Sequence, residues 1–263
     1  MIHPLAIVHP EAQLGNNVRV DAFAVIEKDV TIGENTWVGS HAMVHDGARI
    51  GSNVKIYPGA VVSAIPQDLK FKSEETVTYI GDNTTLREYV TISRGTADKY
   101  KTEIGKNCLI MAYVHVAHDC IIGNNVIISN AVQLAGHVTV DDFAVIGGTS
   151  AVHQFVRVGA HTMISGGSLV RKDVPPFTKA GREPLSYAGI NSVGLNRRGF
   201  NSDTINAIQE IYRVIYMKGL NHTQACKIVE DRFTVSPERD LILDFIRSSD
   251  RGIMKGYPFN GRA

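Results

Sequence analysis

Five of the ten histidines in this chain fall between positions 115 and 161, and their side chains are well suited to proton transfer. A neutral imidazole, with an unperturbed pKa of about 6.5, can accept a proton from a substrate hydroxyl at neutral pH. The five are His115, His118, His137, His153 and His161. Their clustering predicts a general-base site in this part of the chain.

His118 is the candidate base because of its spacing from two other residues. Gly136 follows it by three six-residue units (hexads), and Gln154 follows Gly136 by the same distance along the chain. If the chain forms coils of three hexads, the three residues stack in one column at roughly the 4.7–4.9 Å spacing of neighbouring strands. The N–H of Gly136 would then face an oxyanion that develops beside the base.

A base beside an oxyanion donor suits acyl transfer. No Ser or Cys next to His118 is placed for acylation, so direct attack by an acceptor hydroxyl is simpler than a covalent intermediate. Asp119 is not expected to orient His118, because adjacent residues of an extended strand face opposite ways.

The same histidines leave other functions open. His115 and His118, with His137 or His153, would supply three imidazoles, which is a ligand set of catalytic zinc. A zinc-dependent trimer that resembles carbonic anhydrases of this repeat type is therefore an alternative. A non-catalytic scaffold is another, although it would have no need for a base, a glycine and an amide in one column.

The residues that must position this column repeat every six positions. Ile, Leu or Val recurs at this interval from Ile2 to Val62, at Ile80, Leu86 and Ile92, and from Ile104 to Val170. This period fits neither an α-helix nor a lone alternating strand, and it is a signature of the parallel β-helix. Each aliphatic side chain would contribute about 1.5–3 kcal/mol when buried inside a coil. The 26 hexads predict about nine coils of three hexads.

Two insertions interrupt the repeat, at about 63–79 and at 98–103. Insertions in repeat arrays leave from one face, which is often the binding face. The first contains Asp68 and Lys70 within the run Pro66-Gln67-Asp68-Leu69-Lys70-Phe71. A solvated charged loop and a substrate-binding loop are equally compatible with this composition.

The predicted domains are a β-helix over 1–176, a linker over 177–190 and an α-helical domain over 191–263. Val174-Pro175-Pro176 is expected to end the solenoid because proline removes backbone donors. Start signals then predict three amphipathic helices, beginning near Ser202, Asn221 and Ser236.

The overall composition gives no bias toward nucleic acid or membrane, since 27 basic and 26 acidic residues leave a net charge of +1. The three cysteines are an odd number without CxxC spacing, which argues against a disulfide framework. Neither a signal peptide nor an apolar run long enough to span a bilayer is evident. We therefore predict a soluble cytoplasmic protein without nucleic-acid binding or stable membrane insertion.

Taken together, several motifs resemble the UDP-N-acetylglucosamine O-acyltransferase family, which uses acyl carrier protein and opens lipid A synthesis. The motifs are His118-Asp119-Cys120, Leu134-Ala135-Gly136-His137, Gly147-Gly148, Ala151-Val152-His153-Gln154-Phe155 and Arg197-Arg198-Gly199-Phe200. The resemblance implies a left-handed parallel β-helix, contrary to the usual right-handed crossover, followed by a small α-helical domain. It also implies a homotrimer with active sites between subunits, no metal and no cofactor, because the acyl donor is carried on the phosphopantetheine of an acidic acyl carrier protein.

The resemblance also implies roles for individual residues. His118 would deprotonate the sugar 3-hydroxyl and Gly136 would stabilise the thioester oxyanion. The implied substrate-binding residues are Asp68 and Lys70 for the sugar, His115, His137, His153 and Gln154 around sugar, diphosphate and pantetheine, and Asn191, Arg197 and Arg198 for the nucleotide. The sequence departs from the family at Ser93, where a histidine is expected, and at Val193, where an acid is expected.

Two further expectations concern the acyl donor. Gly166 occupies the position at which the family measures its acyl chain, and a glycine there predicts a long 3-hydroxyacyl donor. A basic landing patch for the carrier protein is expected at Arg157, Arg171, Lys172, Lys179 and Arg182, although ordinary solvated charges would look the same.

The nearest enzymatic alternative is the related UDP-3-O-acylglucosamine N-acyltransferase family. That family resembles this chain in fold but carries a uridine-binding domain before the repeat, whereas here the hexads begin at Ile2. We therefore expect the O-acyltransferase, while the sequence leaves open whether the acceptor is a 3-hydroxyl or a 3-amine.

Overall fold

A computed structural model describes residues 1–217 and 219–256, most of which form a three-sided parallel β-helix. Short strands alternate with corners, and each strand pairs with the strand one coil away. Where no insertion intervenes, partners are three hexads apart, as in His115 beside Gln133 and Gln133 beside Ala151. The prediction of three hexads per coil is thereby confirmed.

The strands form three sheets, one for each side of the prism. The first sheet contains Ile7–Val8, Val25–Ile26, Met43–Val44, Val61–Ala64, Thr91–Ser93, His115–Val116, Gln133–Leu134, Ala151–Val152 and Leu169–Val170. The second contains Gln13–Leu14, Thr31–Ile32, Ala48–Ile50, Val77–Ile80, Lys101–Ile104, Ile121–Ile122, Thr139–Val140 and Arg157–Val158. The third contains Arg19–Val20, Trp37–Val38, Lys55–Ile56, Thr85–Leu86, Leu109–Ile110, Ile127–Ile128, Val145–Ile146, Met163–Ile164, Thr178–Gly181, Ser186–Ile190 and Lys255–Gly256.

The core of the prism consists of the aliphatic residues that define the hexads. Leu86, Val116, Ile128 and Leu134 are among those with no exposed surface. The corners require a positive φ, and along one edge asparagine supplies it because its short polar side chain tolerates the left-handed region. This edge contains Asn17, Asn35, Asn53, Asn83, Asn107 and Asn125, with φ of 56–59°.

The boundaries of both insertions differ from those predicted from the sequence. Because Val61–Ala64 and Val77–Ile80 extend the sheets, the first loop spans only residues 65–76. Lys101–Ile104 pairs with Val77–Ile80, so the second loop spans 94–100 instead of 98–103. Across the first loop, Val62 pairs with Ile92, five hexads further along the chain. Across the second, Ile80 pairs with Ile104, four hexads further along.

The predicted linker over 177–190 is a β-hairpin in the structure. Thr178–Gly181 pairs in parallel with Met163–Ile164 and antiparallel with Ser186–Ile190. The two prolines do not end the sheet, because they lie at a corner, where their missing N–H groups do not interrupt the ladder. Phe177 then takes the corner conformation, with a φ of 64°.

Four helices follow the hairpin: α1 (Ser192–Arg197), α2 (Ser202–Met217), α3 (His222–Arg232) and α4 (Pro237–Arg247). The start signals for the last three are matched within one residue, with a capping box from Asn221 on α3 and a Ser236 cap on α4. The short α1, capped by Asn191, was not predicted. Residues 257–263 of the predicted helical domain lie outside the described residues.

The helices pack on the end of the prism around their own apolar core. Tyr212 is fully buried there, and its hydroxyl donates to the Pro176 carbonyl at 2.5 Å. Among the described residues, no helix has the length and apolar character needed to cross a membrane.

Candidate active site

His118 and Asp119 form a hydrogen-bonded pair at a corner of the prism. His118 Nδ1 lies 2.8 Å from Asp119 Oδ2. The expectation that these neighbours face opposite ways was wrong, because the two residues follow the strand His115–Val116 instead of belonging to it. Asp119 has a φ of 60°, and this corner conformation turns its carboxylate back toward the imidazole.

The Asp119 carboxylate is buried and receives several hydrogen bonds. The Thr96 N–H donates to Oδ1 at 3.0 Å and the Thr96 hydroxyl donates to Oδ2 at 2.6 Å. The Lys99 N–H also donates to Oδ1, at 3.3 Å. Burial alone would raise the pKa of Asp119, but the hydrogen bonds from Thr96 and His118 and the neighbouring His137 hold that pKa below its ordinary value. Asp119 is therefore ionised at neutral pH, so the His118 ring donates through Nδ1–H and keeps the Nε2 lone pair for a substrate proton.

Gly136 lies directly against the ring of His118. A Cβ on Gly136 would stand 2.7 Å from His118 Cε1 and 2.8 Å from Nε2, which is closer than side chains tolerate. The Gly136 carbonyl accepts from Phe155 N–H at 3.2 Å, and its own N–H has no acceptor among the described residues. A donor without a partner next to a base is the arrangement that an oxyanion requires.

A cleft of about 700 Å³ opens on His118. Six of the predicted site residues contribute to its walls, namely Asp68, Lys70, His115, His118, Gly136 and Gln154. Asp68 comes from the first loop, and its Oδ2 lies 4.0 Å from His118 Nε2. Loop 65–76 therefore closes over the column that the coils provide.

His137 lines a neighbouring cleft of about 410 Å³, whose walls also include Asp68, Lys70 and Gln154. Its ring stacks on Phe155, with centroids 4.5 Å apart, and meets His118 edge-on at 5.1 Å. Burial lowers the pKa of His137, although Asp119 and Asp98 act in the opposite direction. His137 is thus neutral at physiological pH and contributes a polar side chain to the wall of this cleft, next to His118.

His115 and Ser93 lie on the first sheet at the edge of the main cleft. His115 Nδ1 lies 2.8 Å from the Thr91 hydroxyl, which fixes the ring. Burial, and then the neighbouring His118, lower the pKa of His115. Ser93 is almost fully buried, so the smaller residue widens this end of the cleft relative to the histidine that the family resemblance implied.

Five predicted site residues, four of them for substrate binding and one for acyl-chain depth, do not line either cleft in the single chain. His153 faces Arg251, whose Nη2 lies 3.2 Å from its Nδ1. Asn191 caps α1 and donates through its side chain to the His161 carbonyl. Arg198 donates to the Phe143 carbonyl at 2.9 Å, while its Nη1 is buried with no partner among the described residues. The exposed Arg197 and the acyl-depth residue Gly166 complete this set, and the exposed Val193 lies on the same short helix as Arg197.

The predicted basic patch is partly engaged within the chain. The guanidinium of Arg157 lies over the Phe245 ring and donates to the hydroxyl and carbonyl oxygens of Ser248. The Lys172 ammonium donates to the carbonyl of Arg251. Arg171 is exposed, 4.0 Å from Glu183. Arg157 and Lys172 therefore help to attach the helical domain to the prism.

A group of potential metal ligands also occurs at the site, but it differs from the predicted zinc ligands. The donor atoms of His118, Asp119 and His137 all lie within 4.8 Å of one another. The predicted sets combined His115 and His118 with His137 or His153, whereas this group contains Asp119 and neither His115 nor His153. Both oxygens of Asp119 already accept hydrogen bonds from Thr96. The donor set therefore fits a hydrogen-bonded pair better than a metal centre.

The residues that sequence reasoning missed are mostly those around Asp119. Thr96 and Lys99 lie in the second loop, and their spacing gave no signal because they do not belong to the hexads. The positive φ of Asp119 could have been inferred from the sequence, because corner positions recur once per coil. His137 and Phe155 occupy the same corner in the next two coils and also have a positive φ.

Comparison with known proteins agrees with this geometry. A family model for domain 2 of UDP-N-acetylglucosamine O-acyltransferases matches residues 173–254, and a bacterial transferase hexapeptide model matches 29–64 and 101–136. The acyl-(acyl-carrier-protein)–UDP-N-acetylglucosamine O-acyltransferase of Burkholderia orbicola is 44% identical over 97% of this chain and 99% of its own length.

The chain belongs to the UDP-N-acetylglucosamine O-acyltransferase family. Two solved structures of the family support the assignment. The enzyme of Bacteroides fragilis is 50% identical, with a TM-score of 0.96 over 97% of this chain and 100% of its own. The enzyme of Francisella novicida is 40% identical, with a TM-score of 0.95 over 98% of this chain and 95% of its own. The predicted left-handed β-helix with a small helical domain is thereby confirmed, and this O-acyltransferase family member is an acyltransferase.

Proposed function

We propose that this enzyme transfers a 3-hydroxyacyl chain from acyl carrier protein to the 3-hydroxyl of UDP-N-acetylglucosamine, the first step of lipid A synthesis. The observation that carries the proposal is the His118–Asp119 pair, 2.8 Å apart, with His118 Nε2 beside Gly136 at the wall of the cleft. This constellation supplies a base, an orienting carboxylate and an oxyanion donor.

The reaction follows from these groups. His118 Nε2 removes the proton of the sugar hydroxyl as the oxygen attacks the thioester carbonyl, and the Gly136 N–H donates to the resulting oxyanion. Asp119 holds the imidazolium through Nδ1–H without taking the proton itself. Collapse breaks the C–S bond, and the imidazolium returns the proton to the departing thiolate, leaving the acylated sugar nucleotide and a free phosphopantetheine thiol.

The remaining site residues support binding of the two substrates. Asp68 and Lys70 of loop 65–76 face the cleft and suit the hydroxyl and diphosphate groups of a sugar nucleotide. His115, His137 and Gln154 form its walls. Nothing in this chemistry requires a cofactor or a metal, because the donor carries its own phosphopantetheine.

We further propose that the enzyme is a cytoplasmic homotrimer whose neighbouring subunit completes the site. Asn191, Arg197, Arg198 and His153 are absent from the walls of both clefts in the single chain, and Arg198 Nη1 lacks an intramolecular partner among the described residues. A guanidinium with a free N–H suits the diphosphate of a substrate bound in the cleft of an adjacent subunit.

Gly166 fits a long acyl chain, and the exposed Arg171 fits an acidic carrier protein. The three free, buried cysteines suit a reducing compartment.

The test is transfer of a 3-hydroxyacyl group from acyl carrier protein to radiolabelled UDP-N-acetylglucosamine, with wild type and His118→Ala compared. We expect product with wild type and a loss of about two to four orders of magnitude in kcat in the variant. A folded wild type that transfers nothing would overturn the proposed substrates. Loss of wild-type activity on chelation, restored by zinc, would instead support the metal alternative.

A further inference from the structure

The second loop, residues 94–100, is built around the carboxylate of Asp119. Thr96 N–H and Lys99 N–H both donate to Oδ1, and the Thr96 hydroxyl donates to Oδ2. The Lys99 ammonium also donates to the main-chain carbonyl of Asp119, at 3.2 Å. This short loop thus directs three hydrogen-bond donors at the buried carboxylate of Asp119.

The Thr96 hydroxyl and the His118 ring share one oxygen of Asp119. The hydroxyl lies 2.6 Å from Oδ2 and His118 Nδ1 lies 2.8 Å from it. Because both donors converge on Oδ2, the hydroxyl fixes the position of that oxygen and also withdraws part of its negative charge from the imidazole. The bond therefore affects both the orientation of His118 and the strength with which His118 holds a proton.

We propose that Thr96 is a positioning residue for the acyl transfer, acting through Asp119 on His118. The inference rests on the proposed function, since it assumes that His118 is the base. Thr96 itself transfers no proton, because its hydroxyl proton is directed at Asp119.

Other charged and titratable groups surround the pair, and all of them remain present in a Thr96 variant. Asp68 from the first loop lies 4.0 Å from His118 Nε2, and His137 Nε2 lies 3.7 Å from Asp119 Oδ2. Asp98 approaches His137, and His115 lies next to His118. The Thr96 hydroxyl also accepts from Asp98 N–H at 3.3 Å. Because Thr96→Val removes the hydroxyl and Thr96→Ser keeps it, the pair of variants tests that one group.

The experiment compares Thr96→Val, which removes the hydroxyl and keeps the shape and the N–H, with Thr96→Ser, which keeps the hydroxyl. In Thr96→Val we expect kcat/KM to fall by about tenfold at pH 7, mainly through kcat. In the profile of kcat/KM against pH, the acidic limb should move to higher pH by roughly half to one unit. The reason is that Asp119 Oδ2, without the Thr96 hydroxyl as a donor, holds the imidazolium of His118 more strongly. Thr96→Ser should retain the wild-type profile.

Thr84→Val is the matched control. Thr84 is a buried residue whose hydroxyl donates to the Gly105 carbonyl and accepts from Cys108 N–H. Loss of this hydroxyl should lower stability without moving the acidic limb. A Thr96→Val profile identical to that of wild type, or an equal displacement in Thr84→Val, would overturn the inference.

A measurement without substrate separates this inference from the proposed function. NMR titration of the His118 ring in wild type and Thr96→Val should show the ring of the variant protonated at higher pH. If wild type proves inactive with the proposed substrates, this titration still tests the coupling of Thr96 to His118. Coincident titration curves would exclude that coupling whatever the reaction is.

Discussion

At the scale of single residues, the proposed site depends on a glycine as much as on a histidine. Gly136 lies so close to the His118 ring that the proposed oxyanion donor and the proposed base are in contact along one column. The spacing of three hexads made this neighbourhood predictable, because the coil geometry fixes which positions stack. The partnership with Asp119 was not predictable from strand alternation, since it depends on the backbone conformation at a corner.

Gly136→Ala should therefore lose activity without losing the fold. The new methyl group would collide with the imidazole and displace it from the Nε2 position that faces the cleft. We expect kcat to fall by about 10²-fold, the usual cost of a displacement near 1 Å. Steady-state kinetics combined with a thermal unfolding curve would check this, and a wild-type kcat in the variant would contradict the proposed requirement for a close approach of residue 136 to His118.

His161 predicts a pH dependence of stability that is independent of catalysis. Its ring packs between Phe143 and Phe177, and burial, together with the nearby Arg198, lowers the pKa of His161 to about 4. Between about pH 6.5 and 4 the unfolded chain binds a proton at this residue that the folded chain does not bind. Stability should consequently fall as the pH falls through this range.

His161→Phe should reduce that dependence. The aromatic stack is preserved, and the buried Nδ1, which lacks a partner among the described residues, is removed. We expect the variant to gain stability relative to wild type at pH 5 and to gain less at pH 8. Urea unfolding at the two pH values measures the difference, and parallel changes at both would refute the assignment.

At the scale of elements, the sequence predicts every hexad of the repeat. It also predicts that two loops interrupt the repeat, but not the residues at which those loops begin and end. The repeat fixes every strand through Val170, because each aliphatic residue must face the interior. The hairpin over 177–190 was missed because its sequence contains Gly and Pro, and its strands form by pairing with a finished coil. Strands that form only by such tertiary pairing have no periodic pattern in their own sequence.

The attachment of the helical domain gives an element-scale prediction. Arg157 lies on the second sheet and contacts Phe245 and Ser248 at the end of α4. Arg157→Ala removes a cation–π contact and two hydrogen bonds, and we expect a loss of about 1–2 kcal/mol in the free energy of unfolding. Differential scanning calorimetry should show a lower Tm. An unchanged Tm, with a raised KM for acyl carrier protein, would indicate that Arg157 serves docking instead.

At the scale of the whole molecule, the proposed trimer would divide the site between neighbouring subunits. His118 and the first loop meet at the larger of two adjoining clefts, whereas the predicted nucleotide contacts Asn191, Arg197 and Arg198 lie on and beside α1. Sequence spacing predicts what stacks within a chain, but it carries no signal for which surface of a neighbour will face the cleft. The nucleotide half of the site was therefore accessible only through the family resemblance.

The lengths of the two loops have a geometric consequence for the coils on either side of them. Paired residues are five hexads apart across the first loop and four apart across the second, instead of three. The surpluses are two whole hexads and one, so the periodic phase is unbroken from one end of the solenoid to the other. Each strand that follows a loop therefore returns to the sheet it would have joined without the loop. Asp68, Lys70 and Thr96 can thus lie outside the prism while the stacked columns beneath them stay in line from coil to coil.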